Sequence, residues 1–113
     1  MYAVYFYERK DGGTPIRAFI DSCQNTLRSK IAKQIKTLRE FGLTLANPYL
    51  RKITGTPLWE SRILGKDSTR IICVAILQGK IVILNIFRKK STKTPIKEIN
   101  LSIKRYKDLT NDI

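Results

Sequence analysis

Thr69-Arg70-Ile71-Ile72-Cys73-Val74-Ala75-Ile76-Leu77-Gln78-Gly79-Lys80-Ile81-Val82-Ile83-Leu84-Asn85-Ile86-Phe87 is the stretch on which the fold turns. Two runs rich in β-branched residues flank Gln78-Gly79, a pair that suits a two-residue hairpin loop. Thr69 to Leu77 and Lys80 to Phe87 are therefore predicted to be antiparallel strands. If Leu77 faces Lys80, the pairing brings Arg70 opposite Phe87. Both runs are nearly continuously apolar rather than alternating, which places them at the centre of a sheet with both faces covered.

Working outward, Gly65-Lys66-Asp67-Ser68 reads as a turn and Leu58 to Leu64 as a third antiparallel strand, entered through Gly55-Thr56-Pro57. Leu50 to Ile53 reads as a short strand before it. Leu27, Ile31, Ile35 and Leu38 recur at helical spacing, with Arg28, Lys30, Lys33 and Lys36 off that stripe and Gly42 as a stop. Thr14-Pro15 opens a shorter helix carrying Ile16, Phe19, Ile20 and Cys23. Tyr2, Val4 and Phe6 alternate with Ala3, Tyr5 and Tyr7 as a first strand that Asp11-Gly12-Gly13 ends. Downstream, Thr94-Pro95 repeats the cap-plus-proline start, and Ile96, Ile99, Ile103 and Tyr106 mark one face of a closing helix. The order β-α-α-β-β-β-β-α predicts a compact α+β domain over residues 1–113, with a mostly antiparallel sheet, two N-terminal helices packed on it and a C-terminal helix.

The chain has 113 residues, 42% of them hydrophobic, and a net charge of +13 spread over both halves: residues 1–56 carry 10 basic and 4 acidic side chains, residues 57–113 carry 12 and 5. That composition excludes a disordered basic tail, and no apolar run approaches the ~18 residues of a membrane span. The opening Met1-Tyr2-Ala3-Val4 has neither the basic lead nor the apolar core of a signal peptide, so a cytoplasmic location is expected. Cys23 and Cys73 lack any ligand spacing and read as buried free thiols. There is no histidine. Histidine metal sites, Ser-His-Asp triads and two-histidine RNA cleavage are excluded, and no metal or cofactor is expected.

Charge of this sign calls for a phosphate-rich partner. Arg88, Lys89, Lys90, Lys93 and Lys97 follow the last strand without an intervening acid. Arg70 opens a strand that is otherwise apolar, so its guanidinium must reach the sheet rim, a carboxylate or a phosphate. Glu60 and Arg62 are two apart on the preceding strand and share a face, but the loop at residues 65–68 leaves their register with Arg70 open by one residue. Solvated loop lysines and an exposed cross-strand ion pair are the competing readings of these features, and Trp59, Phe87, Tyr2, Tyr5 and Tyr7 read first as packing residues.

The motifs Leu58-Trp59-Glu60-Ser61-Arg62-Ile63, Thr69-Arg70-Ile71-Ile72, Lys80 to Phe87, and Phe87-Arg88-Lys89-Lys90-Ser91-Thr92-Lys93-Thr94-Pro95 with Glu98 make the chain resemble the phage-derived HigB-like branch of the RelE/ParE toxin superfamily. The resemblance implies a RelE-like fold. It further implies a toxin of a type II toxin–antitoxin pair that cleaves mRNA on the translating ribosome. Its expected partners are mRNA, the ribosome and a cognate, HigA-like antitoxin with a helix-turn-helix domain, operator DNA being reached only through the complex. Carried over by motif, the catalytic residues are Glu60, Arg62, Arg70, Lys89 and Lys90. Lys52, Phe87, Arg88 and Lys93 form the flanking RNA-binding set. Two positions depart from the family pattern: Ser61 stands where leucine is usual, and Cys73 and Val74 where an aromatic often closes the strand motif.

Chemistry agrees with that assignment, because metal-free RNA cleavage needs a base for the 2′-hydroxyl, cations for the phosphorane charge and a proton source for the leaving 5′-oxygen. Glu60, the two arginines and the lysine pair supply those groups. Two other classes compete: a ParE-like gyrase inhibitor on the same scaffold, and a non-catalytic basic RNA-binding domain. The last fits less well, since its central strands would carry aromatics where this chain has Ile72, Val74, Ile83 and Leu84.

Overall fold

The computed structural model describes residues 1–66, 68–77, 79–89 and 93–111, without the side chain of Asn111. Eight elements follow one another: β1 (Ala3–Phe6), α1 (Pro15–Ser22), α2 (Asn25–Phe41), β2 (Leu50–Lys52), β3 (Trp59–Ile63), β4 (Thr69–Leu77), β5 (Lys80–Arg88) and α3 (Ile96–Asn111). The strands form one five-stranded sheet in the order β1-β5-β4-β3-β2. The α+β architecture and the element order agree with the sequence reading. All pairings are antiparallel except β1 with β5, which run parallel because the α1–α2 hairpin and the three following strands carry the chain back to the same sheet edge.

Each face of the sheet has its own core. On one side Ile16, Leu27, Ile31, Ile35 and Leu38 of α1 and α2 meet Ile63, Ile71, Cys73, Ile81, Ile83 and Ile86. On the other, Leu58, Ile72, Val74, Val82, Leu84 and Phe87 take Ile103, Tyr106 and Leu109 of α3. β4 and β5 are thus covered on both sides, and every member of the predicted α2 stripe is buried. Gly42 ends α2 at φ +71°, and the ring of Tyr2 occupies the space where its Cβ would stand.

Two details of α3 differ from expectation. The helix begins at Ile96, with the amides of Glu98 and Ile99 both donating to the Pro95 carbonyl, so Pro95 caps it by its backbone and Thr94 lies outside. Ile96 is 73% exposed, and the packed stripe runs through Ser102, Ile103, Tyr106 and Leu109 instead. Polar bonds tie the helix down: Asn85 Nδ2 donates to the Glu98 carbonyl and to its Oε1, each at 3.3 Å. Arg105 Nη1 donates to the Leu84 carbonyl at 2.8 Å.

The β4–β5 register pairs Leu77 with Lys80 and Arg70 with Phe87, as the sequence predicts at both ends. Between them it slips by one residue. Ile76 on β4 and Leu84 on β5 are each left without an opposite number, and the two bulges cancel. Of the predicted connection, Gln78 lies outside the described residues, as does Asp67 of the β3–β4 turn.

Candidate functional site

Register assembles the site. β3 sets Arg62 opposite Arg70 and Glu60 opposite Ile72, β2 sets Arg51 opposite Glu60, and β5 sets Phe87 opposite Arg70. Residues directly paired across strands share a face, so Arg51, Glu60, Arg62, Arg70 and Phe87 all project toward the side that α3 covers. The one-residue ambiguity of the β3–β4 turn is resolved in favour of a single cluster. Lys89 joins it just past the end of β5, where its amide donates to the Ser68 carbonyl at 2.8 Å and carries the ladder one step beyond Thr69 and Arg88. Ser68 holds φ +28° to aim that carbonyl, a strained conformation for a residue with a side chain.

Glu60 is completely buried, an unusual state for a carboxylate unless it is paired. Its Oε2 accepts a hydrogen bond from the Thr94 hydroxyl. Its Oε1 faces the cations, 3.5 Å from Arg51 Nε and 3.8 Å from Arg70 Nε. Thr94 is free for this because the backbone of Pro95 caps α3. The carboxylate therefore has one oxygen fixed and one turned toward the arginines.

Three buried polar atoms have no hydrogen-bond partner among the described residues: Glu60 Oε1, Arg62 Nε and Arg70 Nε. One terminal nitrogen of each arginine is anchored on the rim, Arg62 Nη2 to the Pro48 carbonyl and Arg70 Nη1 to the Thr69 carbonyl, both at 3.3 Å. Unsatisfied buried groups are costly, so their convergence on one face, with Glu60 Oε1 and Arg70 Nε 3.8 Å apart, singles that face out as the candidate site. Burial lowers the pKa of Arg70, with Glu60 opposing and Arg62 and Arg51 adding to the effect. Burial likewise lowers that of Lys89, and the positive charge of Arg70 lowers it further. The arrangement offers two guanidinium N–H groups to an anion, one carboxylate oxygen to a hydroxyl proton, and an ammonium whose proton is held less tightly than usual.

Of the residues expected from sequence, Glu60, Arg62, Arg70 and Lys89 come together, while Lys90 lies outside the described residues. Phe87 sits on the right face but is buried in the α3-side core, where it forms the floor of the cluster and not a surface for a base. Lys52 and Arg88 project to the other side of the sheet, since their partners are Trp59 and Thr69. Lys52 lies over the Trp59 ring, 5.4 Å from its centroid. Lys93 is exposed, next to Thr94. Two members were missed. Arg51 is revealed only by the parity of the β2–β3 pairing, and Thr94 carries a capping signal that the structure uses on Glu60 instead. Among the described residues no group of three or more His, Cys, Asp or Glu side chains is gathered, and no helix is long and apolar enough to cross a membrane.

The sequence profile of the family described as phage-derived protein Gp49-like (DUF891) matches residues 18–107, from the middle of α1 to the last turns of α3. No curated protein matches the chain.

Proposed function

The chain belongs to the phage-derived Gp49-like family, which is related to HigB/RelE-type toxins, and from that premise we propose that it is the toxin of a type II toxin–antitoxin pair, acting as an endoribonuclease on mRNA. The observation that carries this reading is the fully buried Glu60, whose Oε1 has no hydrogen-bond donor among the described residues and lies among Arg51, Arg62, Arg70 and Lys89. Such a site fits a phosphodiester flanked by a ribose hydroxyl: a bidentate-capable cation pair for the non-bridging oxygens, and a carboxylate beside it.

In the proposed reaction Glu60 Oε1 takes the 2′-hydroxyl proton, and the 2′-oxygen attacks phosphorus. The bond from phosphorus to the 5′-oxygen breaks, leaving a 2′,3′-cyclic phosphate and a new 5′-hydroxyl. Arg62 and Arg70 hold the phosphate and absorb the charge that grows on its oxygens. Lys89, whose pKa burial and Arg70 lower, returns a proton to the leaving oxygen. Lys90 is the second candidate for that step. The ribosome supplies substrate positioning, and a HigA-like antitoxin holds the free toxin inactive by covering the basic face.

The test is brief induction of the wild type and of Arg70→Ala in a bacterial host, followed by sequencing of RNA 5′ ends. New ends within translated mRNA that vanish in the variant support the assignment. Growth arrest with trapped DNA breaks and no new RNA ends would instead fit a ParE-like gyrase inhibitor.

A further inference from the structure

We propose that an open groove of about 580 Å³ between α2, the α2–β2 connection and the end of β3 is a second binding site on this chain, and that it takes the RNA strand as it leaves the cationic cluster. This inference rests on the endoribonuclease reading and adds to it a subsite outside the sheet face. Its volume falls within the ~300–1,000 Å³ of sites that enclose small ligands or one unit of a longer one.

Three observations point to a nucleotide. Arg62 belongs to both places: it lines the groove, and its charge is felt by Arg70 and Lys89 in the cluster. Its side chain leaves β3 on the α3 side and its Nη2 reaches the carbonyl of Pro48, a residue of the groove wall, at 3.3 Å, so the guanidinium links the two places. The rest of the lining supplies positive charge and no acid, through Lys30 and Lys33, one turn apart on α2. Lys30 reaches back toward the β3–β4 turn, where its Nζ lies 3.0 Å from the place a Cβ would take at Gly65, φ +120°. The positive φ is what calls for glycine there. Finally, Tyr49 and Phe41 line the groove while remaining 43% and 64% exposed. They offer ring faces on which a base can stack.

The groove is not built to read base edges. Gln34 is engaged with the Arg62 carbonyl at 3.5 Å and the Ser61 hydroxyl at 3.4 Å, and Thr37 donates to the Lys33 carbonyl at 3.0 Å. Stacking and charge remain, and both tolerate any base. The subsite therefore adds affinity and direction to the bound strand without adding a sequence preference.

The experiment uses 2′-O-methylated, uncleavable oligonucleotides, a labelled hexamer followed by fluorescence anisotropy and a dinucleotide added as competitor. The proteins are the wild type, Arg70→Ala, Tyr49→Ala and the double variant Lys30→Ala/Lys33→Ala, each checked for native circular dichroism. Tyr49→Ala is expected to weaken hexamer binding about 5- to 100-fold, in keeping with stacking on one ring. The lysine pair should flatten the slope of log affinity against log salt by about 1.4, at roughly 0.7 per phosphate contact on a single strand. Neither change should alter dinucleotide competition, and adenine and uracil hexamers should respond alike. Hexamer binding that falls in Arg70→Ala but is untouched in the groove variants overturns the subsite while the endoribonuclease reading stands. Groove variants that keep RNA affinity but lose complex formation with the antitoxin overturn it in favour of a protein occupant. Absence of RNA affinity in the wild type at low salt overturns the subsite and the endoribonuclease reading together.

Discussion

Valine at position 94 removes one oxygen from the site and little else, which makes Thr94→Val the sharpest probe of how Glu60 is held. The carboxylate is completely buried, and the Thr94 hydroxyl is the donor to its Oε2. A hydrogen bond to a charged group contributes about 1.5–3 kcal/mol. Arg51 and Arg70 stay 3.5 and 3.8 Å from the other oxygen and offset part of the loss, so the cost should fall near 2 kcal/mol. For 113 residues, an unfolding entropy of about 2.1 cal/mol/K per residue converts that into a Tm lowered by roughly 8 °C. Urea unfolding read by the fluorescence of Trp59, the single tryptophan, gives the same quantity at constant temperature. The decisive form is a double-mutant cycle with Glu60→Met, which keeps the volume and removes the acceptor. Thr94→Val should cost less than about 0.5 kcal/mol in that background, leaving a coupling near 1.5 kcal/mol. Thr94→Ser should restore most of the loss. Equal costs of Thr94→Val with and without the carboxylate would refute the reasoning, and with it the view that one oxygen of Glu60 is fixed and the other reactive.

Three more perturbations address the rest of the site. Burial and Arg70 hold the Lys89 ammonium below its ordinary 10.5, so the folded state disfavours the protonated form; the penalty is full below the lowered pKa and fades as pH rises through it toward the unfolded value. Lys89→Met should therefore have a higher urea midpoint than the wild type at pH 7 and the gap should close as pH approaches 10.5, while RNA cleavage falls; a gap that widens with pH would contradict the sign. Arg51 and Lys52 are neighbours on opposite faces of β2, so Arg51→Ala should weaken dinucleotide binding at the cluster and Lys52→Ala should not, and equal effects would show that the β2–β3 register does not decide the site. Burial pushes the Cys73 thiol up to about 12, so mass spectrometry after iodoacetamide treatment at pH 8 should find it unmodified in the native protein and alkylated in urea; rapid native labelling would mean that β4 is not covered on both faces.

Local signals made most of the fold legible. The α2 stripe, the β4 bounds and the two ends of the β4–β5 pairing follow from periodicity and a two-residue loop, because α2 buries its whole stripe and β4 buries Ile71 to Val74 at its centre. Glu60, Arg62 and Arg70 were legible as types in sequence, and what was missing was parity: a turn of uncertain length decides whether Arg62 faces Arg70 or turns away from it. Arg51 was hidden for the same reason, since the strand that carries it has only three residues and no alternation of its own. Thr94 was misread because a threonine before a proline serves equally as a helix cap and as a free hydroxyl, and a long-range contact with residue 60 made the choice. Lys52 and Arg88 show the converse, since strand alternation turns both to the face opposite the Glu60 cluster although they stand near its members in sequence.

Parity also explains why the cluster exists at all. Along β5, Val82 faces α3 and Ile83 faces α1 and α2; strict alternation would then send Asn85, Phe87 and Lys89 to the α1–α2 side and bring Ile86 toward α3. The bulge at Leu84 prevents this. Leu84 and Asn85 both lie on the α3 side, Ile86 returns to the opposite core, and Phe87 and Lys89 arrive beside Arg70. The carbonyl of the bulged residue is satisfied by Arg105 of α3, and Asn85, now on the correct face, anchors Glu98 in the first turn of the same helix. Those three bonds fix where α3 begins, hence where Thr94 stands relative to Glu60. One extra residue in a buried strand thus places the lysine, helps dock the helix whose Ile103, Tyr106 and Leu109 complete the second core, and aims the threonine. The bulge leaves one residue without an opposite number in the middle of the sheet and is compensated by a second at Ile76, so its lasting effect is on the face that the far end of β5 presents.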